Sequence, residues 1–413
     1  MQLAGLYAQP VRQNLPKEGA VRITDLANAF PFLAGMMEPM RILIAPDKFK
    51  GSLTAAEAAA AIAEGALRVY PDAVATQFPI ADGGEGTLEA AVAAGYEERI
   101  NAVVGPILAP VGAAWAIRKA DGGKVTAVIE TAQASGLADM EPTPANALRA
   151  HSYGCGQLIA AALDAGATEI VLGLGGSAMT DGGSGALRAL GLKPLDAAGN
   201  VVPLGGGPLA DIVALDASAL DPRLAATTFR IAVDVRNPLY GTLGAAHVFS
   251  PQKGADEEAV ELLDAGLRNW ASLLREATGR DVNVEGAGAA GGFPASFLAF
   301  TDAALEGGFA LVAGLTGLAD QLSAADLVIT GEGSMDGQSL TGKAPIALAD
   351  AARERGIPVI VVAGRILVTP EDLAGHGVVA AAQLLDVASS PQDAVANAAK
   401  YLAWATSQVL EGA

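Results

Sequence analysis

Several loops in this chain carry residue types that can handle an anionic substrate. Lys48, Lys50 and Ser52 fall in Lys48-Phe49-Lys50-Gly51-Ser52-Leu53, just before a helix start. Exposed N–H groups and the helix dipole favour anions at such a place, and two lysines strengthen the preference. The loop also reads as a solvated turn whose hydroxyl caps the helix. Asp82-Gly83-Gly84-Glu85-Gly86-Thr87 sets two acids among glycines, so backbone can approach a ligand while carboxylates hold a cation such as Mg2+. A tight turn before a capped helix is the alternative.

Gly173-Leu174-Gly175-Gly176-Ser177-Ala178 follows a buried apolar run and matches G-x-G-x-x-A; Gly286, Gly288 and Gly291 match G-x-G-x-x-G. A chain with 50 glycines produces such matches by chance. The first also continues into Met179-Thr180-Asp181-Gly182-Gly183 without entering a helix, which suits a phosphate cradle with Asp181 available as base or metal ligand. Gly337 to Ala344 nearly matches a P-loop, but Ala344 lacks the hydroxyl that binds Mg2+, so a true Walker A is rejected. Lys343, at a helix start, remains able to neutralise phosphate.

The elements that position these loops read as α/β. Arg41 to Pro46 is a short apolar run ended by proline, as for the first strand of a parallel sheet. Thr54-Ala55-Ala56-Glu57 has capping-box spacing and opens an Ala-rich helix to about Tyr70. Residues 95–131 read as β-rich, residues 146–165 as helical, and Glu169 to Leu172 and Phe229 to Asp234 as strands. Residues 257–277 form an amphipathic helix. The last third reads strand (Asp326 to Thr330), Gly-rich loop, helix (Pro345 to Arg355), strand (Ile357 to Val362), a βαβ unit whose ligands belong at the carboxyl ends of the strands.

Bulk properties narrow the function. With 413 residues, two domains are expected. A net charge of -19 argues against a nucleic-acid partner, though local cations can still hold a small anion. No apolar run is long enough to span a bilayer; Val359 to Val368 is broken by Gly364 and Arg365. A cytoplasmic enzyme is expected. Cys155 is the single cysteine, so no internal disulfide forms. Cys155 follows His151 by one helical turn without a third group to orient the pair, and reads as a buried structural thiol. His151, His247 and His376 are too scattered for a zinc site. Residues 1–39 lack a secretory pattern and read as an N-terminal extension, or as a start assigned too early, with Met40 opening the folded enzyme.

Taken in order, Ala45-Pro46-Asp47-Lys48-Phe49-Lys50-Gly51-Ser52, Ala81 to Thr87, Gly175-Gly176-Ser177-Ala178, Asp181-Gly182-Gly183, Asn237-Pro238-Leu239, Pro251-Gln252-Lys253-Gly254-Ala255, Gly286 to Gly292, and Thr330-Gly331-Glu332-Gly333 with Asp336, Gln338, Gly342-Lys343 and Pro345 resemble the bacterial glycerate kinase family, type I. The resemblance implies two α/β domains with the active site in their cleft. One, flavodoxin/Rossmann-like with a parallel sheet, would comprise residues 40–80 and 287–413; the other, mixed α/β, would be inserted as residues 81–286. It also implies ATP-dependent, Mg2+-assisted phosphorylation of D-glycerate, with 2-phosphoglycerate favoured. A homodimer is left open. Three positions depart from the family pattern: Arg236 for Asp, Ser334 for a frequent Arg, and Thr180 for Asn.

Phosphoryl transfer needs positioning, charge neutralisation and a base near the acceptor hydroxyl. Asp181 is the expected base, with Lys48 and Asp336 also in catalytic roles and Asp234 as metal ligand. Lys50, Ser52, Asp82, Gly83, Gly84, Glu85, Gly175, Gly176, Ser177, Gly182, Gly183, Lys253, Gly288, Gly291, Glu332 and Lys343 are expected around substrate or phosphate. The rival readings are an NAD(P)-dependent dehydrogenase of a small hydroxy acid and a non-catalytic acid-binding protein.

Overall fold

The computed structural model describes residues 21–22 and 39–411. Apart from Val21, Arg22 and Pro39, the expected N-terminal extension lies outside the described residues. The chain forms two compact units, one from its two ends, up to Ala81 and from Thr316 onward, the other from Asp82 to Leu315.

The first unit begins with β1 (Val21–Arg22) and β2 (Arg41–Ile44), then the helix Ala55–Val69 and β3 (Val74–Gln77). The helix starts where the capping box places it: Glu57 N donates to Thr54 Oγ1 (3.2 Å) and Thr54 N to Glu57 Oε2 (2.9 Å).

The second unit carries β4 (Glu97–Val104), β5 (Pro110–Lys119), β6 (Val125–Glu130), β7 (Glu169–Gly173), the small antiparallel pair β8 (Lys193–Leu195) and β9 (Ala214–Asp216), β10 (Thr228–Ala232) and β11 (Ala304–Glu306). Its six-stranded sheet runs β11-β10-β7-β6-β5-β4, with β6, β7, β10 and β11 parallel and β4 and β5 antiparallel. Ile129, Ile170, Leu172, Phe229 and Ile231 face one core with Leu158, Phe293 and Phe297. Val128, Val171 and Ala232 face the other, with Leu88 and Leu311. That period of two is what a sheet covered on both faces requires. Residues 287–315 belong to this unit, because β11 hydrogen-bonds to β10. The helical stretch expected over 146–165 is two helices, Pro144–Arg149 and Tyr153–Asp164. His151 N donates to Pro106 O (3.0 Å) and Ser152 N to the Asp181 carboxylate (2.8 Å), and these distant partners hold the break.

The chain returns to the first unit with β12 (Leu327–Thr330), β13 (Val359–Ala363) and β14 (Val378–Gln383). The sheet order is β1-β14-β13-β12-β2-β3, parallel except for β1. Its five parallel strands therefore follow the flavodoxin-like order 2-1-3-4-5. Ile42, Ile44, Ile329, Ile360 and Val362 pack with Ile62 of the helix Ala55–Val69 and with Leu402 and Val409 of the helix Ala398–Glu411.

Where β12 ends, Gly331 passes so close to β13 that a Cβ would lie 1.8 Å from Val362 O. Both groups are backbone, so neither can swing aside. Gly331→Ala should cost about 1–3 kcal/mol or more and lower Tm by several degrees. Gly337→Ala, where a Cβ meets nothing within 4 Å, is the control that should leave Tm unchanged.

Candidate functional site

In the first unit the strand order reverses between β2 and β12, the kind of place at which open α/β sheets hold ligands beside the carboxyl ends of their strands. The first loop stays on the sheet through Ala45 N to Ile329 O (2.8 Å) and Asp47 N to Gly331 O (2.9 Å). It then folds back, with Phe49 N donating to Leu53 O (2.9 Å) and Phe49 buried beneath. Ser52 Oγ donates to Phe49 O (3.0 Å), closing the turn. Asp47 is buried, Lys48 half-buried and Lys50 exposed.

The second loop, after β12, is anchored by Thr330 Oγ1 donating to Ala45 O (2.7 Å). Glu332 is buried, and Gly333 lies against the backbone of Phe49 and Lys50. The loops that carry Lys48, Lys50, Ser52 and Glu332 thus lie side by side at the ends of β2 and β12. Asp336, half-buried further along the loop, accepts from Gln338 N at 2.9 Å. Lys343 stands at the N-cap of the helix Ala344–Arg353 without a side-chain capping bond. Arg365, just past β13, donates from Nε to Ser334 Oγ at 2.8 Å.

In the second unit a second set of loops gathers at the carboxyl ends of β6, β7 and β10. Leu174 N donates to Gly83 O (3.2 Å), and a Cβ on Gly175 would lie 2.6 Å from Gly84 Cα, so the 82–86 and 173–178 loops touch backbone to backbone. Asp82 accepts from Gly84 N (3.2 Å), and Asp234 accepts from Gly308 N (2.8 Å). Loss of surrounding water raises the Asp234 carboxyl, and the Asp82 charge raises it further, against the opposing pull of the Gly308 N–H. Glu85 and Gly176 are exposed. Ser177 is buried and bridges through its backbone to Gly136.

Asp181 is placed differently from a base facing an acceptor. It is 0% exposed, and its carboxylate accepts from Ser152 N (2.8 Å), Ser152 Oγ (2.8 Å), Gly183 N (3.1 Å) and Gly185 N (3.1 Å). Gly182 is equally committed, its carbonyl accepting from Trp270 Nε1 (3.1 Å) and Ser296 Oγ (2.7 Å) and its N–H donating to Gly291 O (3.0 Å). Gly288 is buried, its N–H donating to Asn237 O (2.9 Å). Lys253 is 2% exposed and donates from Nζ to Met179 O (2.5 Å). Burial pushes its ammonium down to about 7, against the pull of the Asp181 charge. Lys253, Gly182, Gly183, Gly288 and Gly291 therefore brace a loop and are enclosed by protein.

The dinucleotide reading loses its structural context. After Gly173–Ala178 the next helix, Ser184–Ala189, begins only at Ser184, so no helix N-terminus follows the glycines. Cys155 is buried, with its thiol pushed up to about 12 by burial, as a structural thiol should be. Among the described residues no group of three or more His, Cys, Asp or Glu is placed to enclose a metal ion.

Lys253 generates a pH-dependent prediction. Its folded state favours the neutral amine, so unfolding takes up a proton between about pH 7 and 10.5 and stability rises with pH across that window. Wild-type Tm minus Lys253→Met Tm, followed by thermal melts, should grow by roughly several degrees from pH 7 to pH 9. A flat difference would mean the amine does not titrate there.

A sequence model of the Glycerate kinase family matches residues 42–412. The chain is 46% identical over 329 residues to Glycerate 2-kinase of Escherichia coli (strain K12), covering 79% of this chain and 86% of that protein. It is 44% identical over 346 residues to Glycerate kinase of Halalkalibacterium halodurans, covering 83% of this chain and 90% of that protein. A chain from Salmonella typhimurium LT2, solved by crystallography as a candidate glycerate kinase 2, superposes with a TM-score of 0.78 at 40% identity, covering 91% of this chain and 98% of that one. Matched from β2 to its last helix, and sharing both α/β architecture and sequence with these relatives, the chain is a kinase and belongs to the Glycerate kinase family.

Proposed function

We propose that this kinase transfers the γ-phosphoryl group of ATP to a hydroxyl of D-glycerate, at the 2-position. The observation that carries the reading is that the loops bearing Lys48, Lys50, Ser52 and Glu332 meet at the strand-order reversal between β2 and β12 of a parallel sheet. The name of the E. coli relative, Glycerate 2-kinase, supports the 2-position.

Roles follow from exposure and hydrogen bonding. Lys48 and Lys50 supply positive charge for a carboxylate or phosphate, and Lys343 does the same at its helix start. Asp181, with four donors on its buried carboxylate, holds the 179–185 loop in shape. We therefore assign the proton acceptor to Asp336, which reaches solvent and accepts one backbone N–H. Mg2+ bound with nucleotide takes only one or two protein carboxylates. Within the second unit, Asp82 and Asp234 are the carboxylates that would suit such an ion, because the charge of Asp82 raises the Asp234 carboxyl. When bound, the ion neutralises charge on the transferring phosphoryl group.

The test of the function is ADP release from ATP and Mg2+ with D-glycerate, L-glycerate, glycerol or no acceptor, followed by product analysis. D-glycerate-dependent ADP and 2-phosphoglycerate are expected; equal release with every acceptor would remove the proposal. Asp336→Asn keeps an oxygen for Gln338 N, so Tm should hold while kcat falls about a hundredfold or more. Near-wild-type kcat would exclude Asp336 as the base.

A further inference from the structure

The loop that carries Lys48 and Lys50 is tied to the sheet at its root. On the β12 side, Ala45 N donates to Ile329 O (2.8 Å) and Asp47 N to Gly331 O (2.9 Å); on the other side, Pro46 O accepts from Ile80 N (3.1 Å). Between the two β12 bonds, Thr330 Oγ1 donates to Ala45 O at 2.7 Å. Beyond Asp47 the chain closes on itself, with Ser52 N and Leu53 N donating to Phe49 O (2.8 and 3.0 Å) and Phe49 N to Leu53 O (2.9 Å). The two lysines therefore ride on a small self-closed turn, and its attachment at residues 45–47 sets where it stands against the loop after β12. The fit is close: a Cβ on Gly333 would lie 3.1 Å from Lys50 N and 3.3 Å from Phe49 Cα.

Of these four ties, the Thr330 bond is the one made by a side chain, so it is the one a substitution can remove without touching the backbone. Thr330 ends β12 after Leu327, Val328 and Ile329, and both it and Ala45 are 0% exposed. Shape and strand preference would be met equally by valine, which has the same branching at Cβ. A buried hydroxyl costs stability unless it is bonded, and the carbonyl that accepts this one lies where β2 becomes the lysine-bearing loop.

We propose that Thr330 is a positioning residue of the kinase: through Ala45 O its hydroxyl fixes the turn bearing Lys48 and Lys50 against the Glu332–Gly333 loop, in the arrangement that receives the anionic groups of the substrates. Thr330 is fully buried and acts through the backbone beneath the two lysines. Without its bond the turn shifts while the sheet stays paired. Phosphoryl transfer is sensitive to such a shift, because positioning and charge supply most of its catalysis. The proposal rests on the glycerate-kinase reading above for the identity of the substrates.

The test compares wild type, T330V, T330S and T330A as full-length proteins, at a temperature well below every Tm so that all are folded. KM for ATP, KM for D-glycerate and kcat are measured, and hydrogen–deuterium exchange is followed in peptides covering residues 41–53. T330V should raise the KM of at least one substrate about tenfold or more. In the same variant the amides of residues 47–53 should exchange faster, by about tenfold, while those of Ile42 to Ile44 keep their protection. T330S keeps the hydroxyl and should stay within about threefold of wild type in every constant. If the valine methyl against Ala45 O prevents folding, T330A removes the same bond and takes the place of T330V.

A role confined to stability would lower Tm in T330V and leave KM and kcat of the folded enzyme unchanged, and that result overturns the proposal. T330S impaired as much as T330V would show that the hydroxyl does not carry the effect. Exchange unchanged at 47–53, or quickened equally in β2, would remove the positioning role. If wild type forms no ADP with D-glycerate, the functional reading has failed, and the exchange data with calorimetric affinity for ATP decide the proposal. Weaker ATP binding in T330V that T330S restores, with faster exchange confined to the turn, supports it. Equal affinity across the variants, or no ATP binding by wild type, overturns it.

Discussion

The pairing of β2 with β12 is the interaction on which the described site depends. It joins residues 285 apart, as the hydrogen bond from Thr330 Oγ1 to Ala45 O measures. Closing so long an intervening chain is costly in entropy, but the cost grows only logarithmically with length, and an inserted unit with its own cores shortens the flexible part. Burial offsets it. Ile42, Leu43, Ile44, Leu327, Val328 and Ile329 are each at most 1% exposed, and full burial of such a side chain is worth about 1.5–3 kcal/mol. The same pairing brings the polar loops together, because β3 lies on one side of it and β13 on the other, so the strand order reverses at that point and nowhere else among the parallel strands.

The two units manage polar groups in different ways. In the second, a carboxylate is taken fully out of water and surrounded by donors, with Lys253 enclosed nearby and His151 Nε2 and Thr180 Oγ1 left without partners. Inside a low-dielectric interior such a network holds one loop conformation strongly, and every unsatisfied atom in it costs stability. In the first unit Asp47 and Glu332 are buried as well, while Lys50 is exposed and Lys48 and Asp336 are half-buried. Asp181 and Asp336 are both aspartates in Gly-rich loops, yet one is fully buried under four donors and the other is half-buried with one backbone N–H on its carboxylate. Environment, not residue type, separates them.

The backbone explains why glycine crowds these loops. At Gly331 and Gly175 neighbouring main chains approach more closely than a Cβ permits, and the loops pack as main chain on main chain. Rigid backbone beneath a few charged side chains is the arrangement phosphoryl transfer demands, since positioning and charge account for most of its catalysis.

By itself the sequence determined what local physics controls. The capping box at Thr54 and Glu57, the apolar strands at 41–44, 169–173 and 359–363, and the long amphipathic helix beginning at Glu257 are written in short-range patterns, and the ordered set of Gly-rich loops carried the family. Tertiary structure alone decided which of these residues are sealed and which remain accessible. Lys253 looked like a phosphate-binding cation and is sealed beneath Met179, because burial depends on which elements pack over a residue. β11 is three residues long and joins the second unit through its pairing with β10, a contact invisible in so short a segment. Arg365 lies 31 residues from Ser334 in sequence, and only the side-by-side placement of β12 and β13 brings the two within a hydrogen bond.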